Sequence, residues 1–255
     1  MPNEGKISAV IITKNEQRNI GRCLDSLIGV ADEVIVVDSG STDKTQAIAE
    51  KYEAKFISHE WEGYSKTKNY ANTLAQYNYI LSLDADETIS PELMQSLLKA
   101  KHNLEGAYSF NRLTNYCDKW IWHCGWYPDK KIRLFAKADA EWQGDFVHED
   151  LVLKPGVKVT HLKGDLLHYS IYTVEEHKAT IEKYARLGAE KLKHKGKKTS
   201  VLKAVFSAIT RFIKKFFFQL GFMDGKYGFT VCRLSAYAGY KRHMYLLELY
   251  KKEGK

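Results

Sequence analysis

Apolar residues in the first hundred positions occur in short continuous runs that alternate with helical patterns. The runs are rich in β-branched residues, which is typical of strands buried on both faces. They cover residues 7–13, 33–38, 55–57 and 79–83. Between them, apolar residues recur every three or four positions, as they do in a helix with one buried side. This alternation predicts an α/β fold with a mainly parallel sheet covered by helices.

The pattern changes in the second part of the chain. Residues 106–169 contain strand-like runs among Trp, Tyr, Gly and His, and residues 174–193 then show a helical pattern. A polar stretch at residues 194–200 precedes two further predicted helices, at residues 201–220 and about 230–250. The chain is therefore expected to end in helices rather than in more sheet.

Charge is also divided unevenly along the chain. Residues 191–255 hold 16 Lys and Arg against 3 Asp and Glu, whereas the residues before them hold 23 against 28. An acidic body with a basic tail suggests that the tail contacts an anionic surface, either nucleic acid or membrane. We predict one domain over residues 1–190, with halves at 1–105 and 106–190, and a basic helical extension over residues 191–255.

Segment 201–220 has an unusually wide apolar face. On a helix its polar side chains fall within an arc of about 120°, and nearly all the others are apolar. Four cations make the segment too charged to span a bilayer, so a helix lying on an anionic membrane surface fits the pattern. Packing on the rest of the chain, or a homo-oligomer formed through the C-terminal helices, would explain the face equally well.

Neither a spanning helix nor a signal peptide is expected from the sequence. No stretch of about 18 uncharged apolar residues is present. The four cysteines form no Cys-X-X-Cys pair, which is typical of reduced thiols in a cytosolic protein. The sequence thus predicts a cytoplasmic protein, peripheral on the inner face of the cytoplasmic membrane if the tail docks there.

Polar residues follow three of the four predicted strands. The first strand leads into Thr13-Lys14-Asn15-Glu16, the second into Asp38, and the fourth into Asp84-Ala85-Asp86-Glu87. In an open parallel sheet, ligands bind where the strands end at their carboxyl edge. One polar end would indicate only contact with solvent, but three acidic ends at one edge indicate a functional cleft.

The Asp84-Ala85-Asp86 triplet is the sharpest chemical signal. Two carboxylates so close repel unless a cation lies between them. Mg²⁺ and Mn²⁺ take oxygen ligands from carboxylates and phosphates, and such an ion stabilises a departing pyrophosphate. Lys66 and Lys68 could face a pyrophosphate, and Arg133 could contact either a pyrophosphate or an anionic acceptor. The glycine-rich dinucleotide motif is absent after the first strand, which counts against a Rossmann NAD enzyme, and the absence of the P-loop motif excludes a P-loop.

Three segments together resemble the inverting glycosyltransferases of family 2, which have the GT-A fold. They read VIITKNE, VVDSGSTDKT and LSLDADE, and they cover about the first 100 residues. Three later segments resemble one branch of that family, the bacterial lipopolysaccharide inner-core β-glucosyltransferases. These read WYPDKKIRLF, DFVHEDL and HYSIYTVEEH, and they extend the resemblance to about residue 190.

The resemblance implies a role for each matching residue. A nucleoside pocket and its ribose contacts would come from Thr13, Asn15, Glu16 and Asp38. Lys68 would approach the nucleotide, and Asp84 would lie near the ribose and the metal. The metal, Mg²⁺ or Mn²⁺, would be bound by Asp86, and His168 would supply a further metal or phosphate contact.

Inversion at the anomeric carbon needs a general base on the face opposite the leaving group. Glu149 and Asp150 are the candidates. The branch that the chain resembles favours Glu149, and other members of the family favour Asp150. Five aromatic residues between the Asp-X-Asp triplet and this pair could stack on sugar rings or form an ordinary core, namely Trp120, Trp122, Trp126, Tyr127 and Trp142.

The resemblance therefore predicts an enzyme that moves a sugar from a nucleotide diphosphate sugar, with a UDP-sugar favoured, to a saccharide or lipid-linked acceptor. Lipopolysaccharide core or another cell-envelope glycan would be the product. A sugar-nucleotide nucleotidyltransferase is one alternative, but its glycine-rich basic loop is missing. A nucleic-acid-binding module using the basic tail is the other, and it would not need Asp84, Asp86 and Glu149. We expect no nucleic-acid partner.

Overall fold

The computed structural model describes residues 5–144 and 149–253. The chain divides into two compact units. The first comprises residues 1–112 and 129–169, and the second comprises residues 113–128 and 170–255. The first is a sheet with helices packed on it, and the second is built mainly of helices. The domain boundaries proposed from the sequence stay predictions.

The N-terminal part of the first unit is a parallel half-sheet. Its strands are β1 (Ile7–Thr13), β2 (Glu33–Asp38), β3 (Lys55–Ser58) and β4 (Tyr79–Asp84), and its helices are α1 (Ile20–Asp25), α2 (Thr45–Lys51) and α3 (Tyr64–Thr73). The strands lie in the order β3-β2-β1-β4, and each neighbouring pair is parallel. This is the arrangement that the four apolar runs predict.

Side chains of these strands alternate between two apolar layers, as the period of a strand requires. Ile7, Ala9 and Ile11 of β1 pack in the same cluster as α1. Val10 and Ile12 point to the opposite cluster, which includes Ala71 of α3. Burial on both faces explains why the strands are continuous apolar runs rather than alternating ones.

The remaining strands of the sheet make it a mixed sheet. The elements that follow are β5 (Glu87–Ile89), α4 (Pro91–Lys101), β6 (Ala107–Tyr116), β7 (Lys119–Ile121), β8 (Asp129–Ala136), β9 (Ala140–Gln143), β10 (Asp150–Leu153) and β11 (Val159–Ile171). The sheet continues from β4 through β8, β6 and β11 to β5, and β8 is antiparallel to both β4 and β6. Strands β9 and β10 form a separate antiparallel pair.

The predicted α/β fold with a helical C-terminal part is confirmed, and its parallel strands lie in the first half of the sheet. The start of α4 follows from its first residues. Ser90 caps the helix by accepting a hydrogen bond from the backbone N–H of Leu93 at 3.2 Å, and Pro91 occupies the first turn.

Three long helices dominate the second unit. They are α5 (Val174–His194), α6 (Val201–Ile213) and α7 (Gly225–Glu253). Thr173 and Glu176 form a reciprocal capping box at the start of α5. The end of β6 forms a hairpin with β7 in this unit, in which Thr114 lies opposite Ile121.

The continuous helix predicted over residues 201–220 is interrupted. Helix α6 ends at Ile213 and is followed by a π-helical turn at residues 214–218 and by Leu220 in the left-handed region, with φ of 54°. The chain then passes close to α7, where a Cβ on Gly228 would lie 1.9 Å from the carbonyl oxygen of Gly221. For Gly221 to approach Gly228, the chain has to turn between α6 and α7, which a straight helix over residues 201–220 could not do.

Helix α6 carries much of its apolar face on the outside of its unit. Lys215, in the π-helical turn that follows α6, donates from its Nζ to the carbonyl oxygen of Cys124 at 2.7 Å. Within residues 201–220, the large apolar side chains that are at least two-fifths exposed are Val201, Leu202, Val205, Phe206, Ile209, Ile213, Phe217, Phe218 and Leu220. Among the described helices, none combines the length and apolar character needed to cross a membrane.

Candidate active site

The three strand ends that the sequence singles out are neighbours at one edge of the parallel half-sheet. Strand β1 lies between β2 and β4. Thr13 pairs in register with Asp38 of β2, and Ile12 pairs with Asp84 of β4. Parallel pairing in this register brings all three carboxyl ends to the same edge, where an open α/β sheet binds its ligands.

Lys68 links the end of β4 to the predicted base. Its side chain is 2% exposed, and its Nζ lies 2.9 Å from Oδ1 of Asp84 and 3.4 Å from Oε1 of Glu149. The same ammonium lies 4.4 Å from the centre of the Trp142 ring, within range of a cation–π contact. One buried cation therefore joins two carboxylates that are 65 positions apart in the sequence.

A second buried cation holds the other oxygen of Asp84. The NH2 nitrogen of Arg133 lies 2.9 Å from Oδ2 of Asp84 and 2.7 Å from Oε1 of Glu87. Burial by itself would raise the pKa of Asp84, but Lys68 and Arg133 outweigh burial and hold that pKa well below its usual range. Asp84 is thus an ionised carboxylate whose two oxygens both face cations.

Glu87 is a member of this cluster that the sequence does not single out. Its side chain is fully buried, and in addition to Arg133 it accepts a hydrogen bond from the backbone N–H of Asp84 at 3.1 Å. Arg112 approaches the same carboxylate at 3.4 Å. Glu87 therefore fixes both the guanidinium and the backbone next to Asp84.

The loops after β1 and β2 are tied together by side-chain hydrogen bonds. Asp38 accepts from the backbone N–H groups of Gly40 and Ser41 at 3.0 and 2.8 Å, and also from the Ser41 hydroxyl. Asn15 adopts a left-handed conformation with φ of 55°, and its Oδ1 accepts from the backbone N–H of Thr42 at 2.8 Å. These bonds order the two loops beside the strand edge.

Glu16 lies in an acidic part of this edge. Its Oε2 accepts from Nδ2 of Asn19 at 2.7 Å. Burial is the largest influence on its pKa and raises it, and the nearby carboxylates Asp86, Asp43 and Asp84 raise it further. An ionised Glu16 therefore costs the folded protein free energy.

Asp86 and His168 form the pair that could hold a metal ion. His168 Nε2 lies 3.2 Å from Oδ2 of Asp86, and the backbone N–H of Tyr169 donates to the Asp86 carbonyl at 2.9 Å. Strand pairing between β5 and β11 places His168 opposite Glu87 and so brings the histidine here. Over the described ranges, no group of three or more His, Cys, Asp and Glu has the arrangement of a metal site.

The two candidate bases differ in their surroundings. Glu149 is about a quarter exposed and faces Lys68, whereas Asp150 is exposed and begins β10, opposite Gln143. The preceding Phe146-Val147-His148 of the motif lies outside the described residues. Of the two carboxylates, Glu149 is the one that the structure brings together with Asp84.

The five aromatic residues do not form one cluster. Trp120, Trp122, Trp126 and Tyr127 belong to the helical unit, and Trp142 belongs to the sheet unit. Trp142 is fixed by two backbone hydrogen bonds with the Asn69 side chain, at 2.8 and 2.9 Å.

Three of the buried polar atoms of the sheet unit that lack a hydrogen-bond partner among the described residues belong to residues that the sequence singles out. They are Oγ1 of Thr13, Nε of Arg133 and Nε1 of Trp142. Unsatisfied buried polar groups are uncommon and call for an explanation. All three lie on elements that form the candidate site, so a polar ligand bound there would account for them.

Comparisons with known proteins agree with the motifs at these strand ends. The model of the family described as glycosyl transferase family 2 matches residues 8–153. An uncharacterised glycosyltransferase of Rickettsia bellii is 35% identical over 96% of this chain and 87% of its own length. The lipopolysaccharide core biosynthesis glycosyltransferase LpsC of Rhizobium meliloti is 28% identical over 93% of both chains.

Similar solved structures include S. aureus TarS, with a TM-score of 0.43 and 18% identity over 85% of this chain and 45% of that one. Glucosyl-3-phosphoglycerate synthase of Mycobacterium tuberculosis, crystallised with Mn²⁺, UDP and glucosyl-3-phosphoglycerate, gives a TM-score of 0.37 and 24% identity over 44% of each chain. The family model and the relative of Rickettsia bellii place this chain in glycosyltransferase family 2.

Proposed function

We propose that this glycosyltransferase is an inverting, metal-dependent enzyme that uses a nucleotide diphosphate sugar. The observation that carries the proposal is Lys68, whose Nζ contacts both Asp84 and Glu149. The first carboxylate of the Asp-X-Asp triplet and a general-base candidate thus share one buried cation. A donor-binding group and a proton acceptor side by side are what a single displacement at a sugar carbon needs.

Glu149 is the proposed base. Its carboxylate removes the proton of the acceptor hydroxyl as the hydroxyl oxygen bonds to the anomeric carbon, and the bond from that carbon to the nucleoside diphosphate breaks with inversion. Asp150 is the second choice, because it is exposed and has no contact with the Lys68 cluster among the described residues.

Asp86 and His168 are the proposed metal ligands. Mg²⁺ is usually held by one or two carboxylates together with substrate phosphates, so a small protein ligand set fits it. Asp84 already faces two cations, which makes it a poor direct ligand and leaves Asp86 as the available carboxylate. When bound, Mg²⁺ or Mn²⁺ would neutralise charge on the departing diphosphate.

The proposed donor is a UDP-sugar. Its nucleoside would be bound by Thr13, Asn15, Glu16 and Asp38, and its diphosphate would meet Lys68 and Arg133. The unpartnered Thr13 hydroxyl and Arg133 Nε support this assignment, since both could pair with donor atoms. The acceptor would be a saccharide or a lipid-linked saccharide of the cell envelope, which the name of the R. meliloti relative supports.

We further propose that the C-terminal helices dock on the inner face of the cytoplasmic membrane. The exposed apolar face of α6 supports this, and so do the 16 Lys and Arg of residues 191–255, which an anionic lipid surface would attract. Docking would hold the enzyme near a lipid-linked acceptor. A homo-oligomer formed through the same face is the competing outcome.

The decisive experiment pairs a donor screen with base variants. Thermal unfolding is measured with UDP-, GDP- and dTDP-sugars, with and without Mn²⁺, since a donor at 100 times its Kd stabilises the protein by about 2.7 kcal/mol. Asp86→Asn should lose the part of this stabilisation that depends on Mn²⁺.

With the donor known, Glu149→Gln should lose turnover by about 10²–10⁴-fold but bind donor as the wild type does in calorimetry. Asp150→Asn is the matched control and should stay active. An inactive Asp150→Asn beside an active Glu149→Gln would exchange the two roles, and absence of stabilisation by every nucleotide sugar would overturn the proposal.

A further inference from the structure

The helical unit contains a cavity that the glycosyl-transfer proposal does not use. Its volume is about 320 Å³, and its lining comes from α5, α6, α7 and the end of β11. Apolar residues such as Ile181 form part of the wall, and two arginines, Arg211 of α6 and Arg242 of α7, supply charge. The described lining residues include no carboxylate.

The two arginines have no counter-ion in the part of the chain that the structure describes. Neither forms a salt bridge there, and Nε of Arg242 is buried without a hydrogen-bond partner. Burial lowers the pKa of Arg211, and the adjacent Arg242 lowers it further. Two guanidinium groups facing one cavity repel each other unless an anion lies between them.

Other charged groups near the cavity do not neutralise the pair. Glu182 of α5 is engaged by Lys241, at 3.3 Å, and by the hydroxyl groups of Tyr237 and Tyr245. His177 lines the cavity, but burial lowers its pKa to about 4, so it is neutral at pH 7. The cavity therefore carries a charge close to that of two arginines.

Two glycines make room for these arginines. A Cβ on Gly239 of α7 would lie 3.1 Å from Nε of Arg211, and a Cβ on Gly188 of α5 would lie 3.0 Å from Cδ of Arg242. Glycine inside a helix costs about 0.5–1 kcal/mol relative to alanine. Both helices thus have glycine where an alanine would crowd an arginine side chain.

We propose that this cavity binds a phosphomonoester group between Arg211 and Arg242. A phosphomonoester carries nearly two negative charges at neutral pH, which match two guanidinium groups, and its oxygens accept the paired N–H donors of arginine. A carboxylate would neutralise only one of them. Thr180 and Tyr184 also line the cavity and offer hydroxyl groups for the rest of the ligand. A free phosphorylated metabolite and a phospholipid headgroup share this chemistry.

The test measures binding by the full chain without any sugar donor, so its result does not depend on the proposed function. Glycerol 3-phosphate binding is followed by calorimetry for the wild type and for Arg211→Gln/Arg242→Gln. Arg233→Gln, an exposed arginine of the same α7, is the matched control. We expect affinity to fall by about tenfold or more for each arginine removed, and to stay unchanged in the control.

Arg211→Lys and Arg242→Lys keep the positive charge, so these two variants replace the double variant in the binding test if the double variant fails to fold. Each should still weaken binding about tenfold, because lysine lacks the fork of donors. Flotation distinguishes a lipid headgroup from a free metabolite as the source of the phosphomonoester. It compares phosphatidylcholine vesicles that contain phosphatidic acid with vesicles of equal surface charge that contain phosphatidylglycerol. Preference for phosphatidic acid that depends on the arginines indicates a lipid headgroup, and binding of glycerol 3-phosphate alone indicates a metabolite. No arginine-dependent binding in either arm would overturn the proposal.

Discussion

At the scale of single residues, the proposed site of the sheet unit centres on one lysine. The Lys68 side chain is 2% exposed, and its Nζ contacts the carboxylates of Asp84 and Glu149. A buried ion pair adds little net stability over an apolar pair, but removing one partner leaves an uncompensated charge. Lys68 is therefore a residue whose loss affects the fold as well as the site.

Lys68→Met should lower the free energy of unfolding by about 3 kcal/mol at pH 7. The pKa of Asp84 is held below its usual range, so the stability that Asp84 contributes is present above its unfolded pKa of about 4. That stability is lost as the pH falls through the lower folded value, so the difference from the wild type should narrow below about pH 4. Urea unfolding of both proteins at a series of pH values from 7 downwards measures this difference in the free energy of unfolding.

Lys66→Met is the control for this prediction, because Lys66 lies on the same helix and is exposed. It should change stability by no more than about 0.5 kcal/mol. Equal stability of the two variants at pH 7 would mean that Lys68 does not compensate the charge of Asp84.

Glu16→Gln should stabilise the protein at pH 7 while weakening donor binding. The folded pKa of Glu16 is raised, so the folded state is favoured when Glu16 is protonated and loses stability as the pH rises through the unfolded and then the folded value. Glutamine removes that cost, and the gain in stability should vanish below about pH 4. Thermal unfolding at pH 7 and below pH 4 shows whether the variant is stabilised only at the higher pH, with exposed Glu60→Gln as the neutral control. Calorimetry measures donor binding.

The sequence pattern can locate residues of the candidate site that end strands, but it misses those fixed by tertiary contacts. Asp38 and Asp84 can be found because each ends a recognisable apolar run. Glu87 stands directly after Asp86 and looks like any solvent-exposed acid in the sequence. Its burial depends on Arg133, 46 positions later, and on the strand pairing that brings the two together.

At the scale of elements, the four parallel strands are predictable because both of their faces are buried. Their observed ends differ from the predicted ones by at most one residue, as the extension of β3 to Ser58 illustrates. Short strands are harder, and β5 has only three residues, too few for a pattern. After the interruption that follows α6, the backbone of Gly221 lies close to Gly228, and no periodicity along the chain encodes this approach.

Gly228→Ala should destabilise the protein by about 1–3 kcal/mol, because its Cβ would lie 1.9 Å from the backbone oxygen of Gly221 and the two segments would have to move apart. Gly21→Ala in α1 is the matched control. Its Cβ would meet Ile48 at an ordinary 3.6 Å, so it should gain about 0.5–1 kcal/mol from helix propensity. Thermal unfolding followed by circular dichroism compares them, and equal melting temperatures would show that the close approach is not maintained in solution.

At the scale of the whole molecule, charge and apolar surface are concentrated in the same part of the chain. Residues 191–255 combine a large excess of Lys and Arg with the exposed face of α6, whereas the rest of the chain has an excess of Asp and Glu. An ordinary surface helix would bury its apolar side and expose its cations. Here Phe206, Phe217 and Phe218 are exposed to solvent. Of the four cations in residues 201–220, two are exposed and two are partly covered.

The exposed phenylalanines make the proposed membrane docking directly testable. Wild-type protein should float with vesicles rich in anionic lipid at low salt and stay largely soluble with neutral vesicles. At high salt it should float less, because salt screens the attraction of the cations.

Two variants test the exposed face of α6. Phe206→Ser should weaken flotation, since Phe206 is 69% exposed on α6. Ile28→Ser should not, since Ile28 is 67% exposed but belongs to the sheet unit. Both side chains project into solvent, so neither change should alter the melting temperature much. Wild-type protein that stays soluble with anionic vesicles at low salt would contradict docking, and sedimentation of the two variants would then show whether the face joins two copies of the chain.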